Sequence, residues 1–151
     1  MKAFYFRLQT KLDISCRQEQ IAREEVQLRL SECRQIEERL EQMLLRLEEL
    51  QQSIREQNNE KNSFQTILIK KDFLSVFKDR TKAMKKKLKQ AEEILEEART
   101  ELMNRAREKQ IMEKLKDKEW HLYLHELQLE EQKSIDEIAI NGYFRNKLAT
   151  S

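Results

Sequence analysis

Proline is absent from this 151-residue chain, and glycine occurs once, at Gly142. A phosphate-binding P-loop needs two glycines and a dinucleotide-binding turn needs three, so one glycine near the C-terminus excludes both. Aromatic residues make up only 7% and the apolar residues are dispersed, too thin a supply for the thick core of an ordinary globular domain. Catalytic constellations need a concave scaffold that excludes water, so this composition does not point to an enzyme or to a bound cofactor. An excess of one charge is also missing: at +2, net charge by itself names neither nucleic acid nor a membrane as partner. No apolar run approaches the ~18 residues of a membrane span, and the opening MKAFYFRLQT lacks the apolar stretch of a signal peptide.

Cysteine is scarce too. Cys16 and Cys33 lie 17 residues apart in one helical pattern, about 25 Å at the helical rise, far beyond the ~7 Å a disulfide tolerates. They are expected to be free thiols, which favours a reducing compartment.

What the chain does hold is charge: 38% of residues are Asp, Glu, Lys or Arg. Charge on that scale without helix breakers predicts long solvated helices. Positions 8, 12, 15, 19, 22, 26, 29, 33, 36, 40, 43, 47, 50, 54 and 57 alternate steps of four and three. Eleven of these fifteen are apolar: Leu8, Leu12, Ala22, Val26, Cys33, Ile36, Leu40, Met43, Leu47, Leu50 and Ile54. That is a coiled-coil seam. It stops in EQNNEKNS, a cluster of turn-favouring residues. A second seam runs through Ile67, Leu74, Phe77, Met84, Leu88, Ala91, Leu95, Ala98 and Leu102, with Lys70 and Thr81 as polar members.

Two seams flanking a short turn predict an all-α fold, a long two-helix antiparallel coiled coil, because each seam needs cover. The expected layout is a single domain over 1–151, with helix one at about 5–57 and a turn at about 58–63. Helix two follows at about 64–141, ended by a glycine cap at Asn141-Gly142, and then a frayed tail at 142–151. The second seam meets charged residues at Arg105 and Lys109 and is expected to slip, resuming at Leu115. Leu115, Leu122 and Leu129 then mark an inner face, and Trp120, Leu124 and Leu127 an outer one. With the turn near residue 60, Leu8 falls opposite roughly residue 113, leaving ~40 Å of helix two uncovered. An apolar helix with no internal partner implies an external one.

Other signals are weaker. His121 and His125 stand at i, i+4, a metal-gripping spacing, but no third ligand accompanies them, so no metal is expected. Residues 70–89 contain nine Lys and Arg against Asp72 and Asp79. Such a stretch can grip phosphates, yet EEILEE follows at once, and a solvated face is the simpler reading than nucleic-acid binding. Phe64, Phe73 and Phe77 near the turn exceed what one seam requires; they either plug the hairpin tip or form a docking patch.

Two terminal motifs carry a family resemblance. FYFRLQTKLDI resembles an aromatic-x-Phe-Arg-Leu-Gln-x-x-Leu opening, and EQKSIDEIA is similar to a Gln-Lys-x-x-Asp-Glu signature. Both are features of the FliJ family, the coiled-coil stalk proteins of the bacterial flagellar export apparatus. The resemblance implies a helical hairpin similar to the central stalk of rotary ATPases, cytoplasmic and peripheral at the inner face of the cell membrane. It implies binding to a hexameric export ATPase through Trp120, Leu124, Leu127, Gln132, Lys133, Asp136 and Glu137. It further implies docking on the export gate protein FlhA through Phe73 and Phe77, and contact with export chaperones. The equivalent stalk of a virulence type III secretion system, or a coiled-coil chaperone or adaptor for export substrates, would share this layout.

Overall fold

The computed structural model describes residues 2–59 and 64–151. Two helices account for nearly all of them, α1 over Gln9–Asn59 and α2 over Phe64–Ala149. They pack against each other as an all-α helical hairpin, with no strand among the described residues. Of the expected turn, residues 60–63 lie outside the described residues.

The chain divides into two compact units: Met1–Glu19 with Arg105–Ser151, and Gln20–Asn104. In the second, every seam position expected from the sequence is buried or half-buried. Ala22, Cys33, Leu40, Ile54 and Leu95 are the deepest apolar members. Thr81 is buried at the seam without an orphaned hydroxyl, because its Oγ1 donates to the Phe77 carbonyl at 2.9 Å. Arg29 occupies a seam position too, and reaches Glu25 at 2.8 Å and Glu32 at 3.1 Å on its own helix. Those two carboxylates, Glu32 first, hold its guanidinium pKa above the ordinary value. The helices run antiparallel here: Lys70 Nζ donates to Ser53 Oγ at 3.1 Å, and farther from the turn Cys33 lies within electrostatic reach of Glu92 and Arg99.

In the first unit the expected slip does not occur. The same four-three spacing continues through Arg105, Lys109, Met112, Lys116, Glu119 and Tyr123, all half-buried. The charged side chains stay in phase because α1 answers them with polar groups. Arg105 donates to Gln18 Oε1 at 3.1 Å, Lys109 pairs with Glu19 at 3.1 Å, and Lys116 donates to Gln9 Oε1 at 2.8 Å. A seam position that finds a hydrogen-bonding partner across the interface needs no phase shift to escape burial.

Two further expectations change. Helix α1 begins at Gln9, and residues 2–6 are non-helical. Helix α2 does not stop at Asn141-Gly142 but continues to Ala149, and Gly142 has no positive φ. One glycine costs a helix about 1 kcal/mol relative to alanine, which does not end it when the following residues, Tyr143 to Leu148, are ordinary helix formers.

Candidate partner-binding surfaces

The segment before α1 decides what the middle of α2 exposes. Phe6 is only 3% exposed and its carbonyl accepts from the Gln9 amide at 3.1 Å, starting the helix. Phe4 packs edge-on against Trp120, with ring centroids 5.0 Å apart, and lies 5.5 Å from Tyr123. Trp120 and Tyr123 stack at 5.5 Å, and the Tyr123 hydroxyl donates to the Lys2 carbonyl at 3.1 Å. The N-terminal aromatics thus fold across a stretch expected to be bare.

This exchanges the four leucines expected on the two faces there, while Leu115 stays half-buried and Trp120 exposed, as expected. Leu122 and Leu129, expected inside, are 56% and 49% exposed. Leu124 and Leu127, expected outside, are half-buried, and Trp120 is 41% exposed with its ring against Phe4. The physical reason is the unbroken seam: with 116, 119 and 123 inward, the leucines at 122 and 129 fall on its flank. The N-terminal strap then reaches over the other flank. The repeat of Leu115, Leu122 and Leu129 every seven residues is real, but only Leu115 is half-buried, and the other two lie on the exposed flank.

Beyond the strap the helix is bare. Every residue from 128 to 149 is exposed, roughly 33 Å of helix at 1.5 Å per residue. Gln132, Lys133, Asp136 and Glu137 all lie on it, with Gln132 donating to Asp136 at 2.9 Å. Ile140, Tyr143, Phe144 and Leu148, absent from the expected site, are also exposed, with Tyr143 and Phe144 forming an edge-on ring pair at 6.0 Å. Their spacing of three, four and eight is the signal that could have found them, hidden by the expectation that the helix ends at Gly142. The same unit has a shallow groove between Ile14 and Ile111, bordered by Lys11 and Glu108.

In the other unit, Phe73 is 53% exposed and stacks at 6.0 Å on Phe77, which is half-buried at the seam. Ile69 and Val76 are exposed one turn to either side of Phe73. His121 and His125 are exposed to solvent, and no group of three or more metal-ligating side chains occurs among the described residues. No helix among them is long and apolar enough to cross a membrane. Cys16 and Cys33 are free.

These features define a class: a helical pair whose developed surfaces are uncovered helix faces, suited to binding other proteins. Within that class the chain belongs to the flagellar FliJ protein family, whose model matches residues 4–148. Membership makes it a flagellar or type III export-associated protein, of a family whose members are non-catalytic. No curated protein and no solved structure matches the chain.

Proposed function

We propose that this chain is the stalk that binds the hexameric export ATPase and couples it to the export gate, at the cytoplasmic face of the membrane. One observation carries the reading: α2 runs on for residues 128–149 with no cover from its own chain. A helix with exposed isoleucines and aromatics among charged side chains has the chemistry of a shaft seated in a ring, apolar enough to hold and polar enough to release.

Gln132, Lys133, Asp136 and Glu137 face the ATPase directly. Trp120, Leu124 and Leu127 contribute through the edges that the N-terminal strap leaves exposed. Replacing the four polar residues with alanine leaves helix propensity intact and is expected to weaken retention of the ATPase in a pull-down at least about tenfold, only ~1.4 kcal/mol. Unchanged retention with unchanged helicity would sink the assignment. In the other unit Phe73 is the gate anchor, with Phe77 supporting its ring. Phe73→Ala is expected to weaken binding to the gate protein FlhA while leaving the melting midpoint nearly unmoved, since an exposed aromatic anchor matters to docking more than to folding.

A further inference from the structure

The bare end of α2 has a second property that ring binding does not use. Glu131, Ile135, Ile138, Gly142, Arg145 and Ala149 continue a strict four-three spacing along one face, and all are exposed. Charge along this stretch is segregated. Glu126, Glu130, Glu131, Asp136 and Glu137 precede Ile138 with Lys133 as their one cation, whereas Arg145 and Lys147 follow it with no acid. Neither Glu131 nor Arg145 makes an ion pair among the described residues. Acidic first and basic last, such a helix is complementary to an antiparallel copy of itself and repelled by a parallel one.

We infer that residues 128–149 pair antiparallel with the same segment of a second copy, about a two-fold axis at Ile138. A two-fold axis makes every contact reciprocal. Ile138 meets the partner's Ile138, Glu131 meets the partner's Arg145, and Arg145 meets the partner's Glu131. Ile135 comes level with residue 141 of the partner, about 1.5 Å of rise from the partner's Gly142 on the facing side. That last contact gives the chain's single glycine a use. Nothing lies within 4 Å of where its Cβ would be, and its φ is not positive, so nothing inside the chain requires glycine there. A helix passing closely from outside does. Two short helical faces fall near the ~1,200 Å² floor of stable interfaces, so the dimer is weak and concentration-dependent. Gln132, Lys133, Asp136 and Glu137 fall about 100° or more around the helix from the centre of this face, so pairing leaves those four residues uncovered. The pairing stands apart from the ATPase reading, because it is tested with this chain alone.

Sedimentation equilibrium on the full chain, from about 1 to 200 µM, is expected to show a monomer–dimer equilibrium that weakens with salt. Glu131→Arg and Arg145→Glu each weaken it at least about tenfold, and the double reversal restores it to within about threefold. Ile138→Asp abolishes it, with circular dichroism unchanged because the site has no internal contact. A monomer throughout that range overturns the inference. So does a dimer indifferent to the single reversals, which would belong to another surface, and so does a double variant no tighter than the singles.

Discussion

The Gln20–Asn104 unit and the unit of Met1–Glu19 with Arg105–Ser151 keep the same seam spacing and fill it differently. In the first, Leu40, Cys33, Ile54 and Leu95 are buried among other apolar seam residues. In the second, Glu19 is buried against Lys109, and Gln9 and Gln18 answer Lys116 and Arg105. Apolar seam contacts stabilise without discriminating among registers, since one leucine accepts many neighbours. Charged seam contacts contribute less, because desolvation offsets the attraction, but only one register satisfies them. The apolar unit supplies holding energy, and the polar unit supplies the register that positions the N-terminal strap on α2.

The largest expected effect tests the apolar unit. Leu40→Asp buries an unpaired carboxylate in mid-seam, at a cost of several kcal/mol by order of magnitude, a large share of the ~5–15 kcal/mol that stabilises a typical domain. Circular dichroism melts should show a collapse of the midpoint; an unmoved one would mean that Leu40 is not seam.

Next comes the strap. Trp120→Ala removes the ring against which Phe4 and Tyr123 pack, a loss of about 0.5–1.5 kcal/mol from the aromatic contacts. Hydrogen exchange should quicken in residues 2–12 while Gln20–Asn104 keeps its protection. Equal loosening in both units would erase the distinction between them.

Replacing Glu19 and Lys109 together by leucine should raise the midpoint, by about 2–4 °C, because apolar pairs often outperform buried ion pairs. The pH dependence sharpens this. Hydrogen bonding to Glu19, with that carboxylate's charge, raises the Lys109 pKa above its ordinary 10.5. The pair's contribution is therefore fully present below that ordinary value and is lost as pH climbs through the higher folded one. Melts of the native chain at alkaline pH should lose that contribution, and the double-leucine variant should not. Parallel declines would remove the ion pair from the account.

The smallest effect is chemical. Burial, aided by Glu92, Glu37 and Glu32, pushes the Cys33 thiol up from its ordinary value, and its side chain is almost fully covered, whereas Cys16 is half-exposed. Alkylation followed by mass spectrometry should label Cys33 at least about tenfold more slowly than Cys16. Equal rates would show that the apolar seam opens as readily as the polar one.

Much of this architecture is legible in the order of residues. The first seam, from Leu8 just before α1 to Gln57, and the α2 seam from Ile67 to Leu102 can be read directly, because a sustained four-three apolar repeat is the mark of a helix covered along one face. Legibility fails where apolarity stops reporting burial. Arg105, Lys109 and Lys116 look like solvent residues, and only their partners on α1 keep them in the seam. Missing them moves the phase by one residue, and with it the choice between Leu122 and Leu124. Of the candidate site, Gln132, Lys133, Asp136 and Glu137 do fall on exposed helix, as expected. Trp120 was expected on an outer face, without its cover from Phe4.

Sequence alone determined that this chain is two long helices with free thiols and no glycine-rich nucleotide-binding loop, because composition and period act locally along the chain. Tertiary structure alone decided which face of α2 is covered, how far the N-terminus reaches, and where bare helix begins. Those depend on pairs such as Glu19 with Lys109 and Phe4 with Trp120, separated by about a hundred residues. Their hydrogen bonds and ring contacts have no periodic trace in either partner's own neighbourhood.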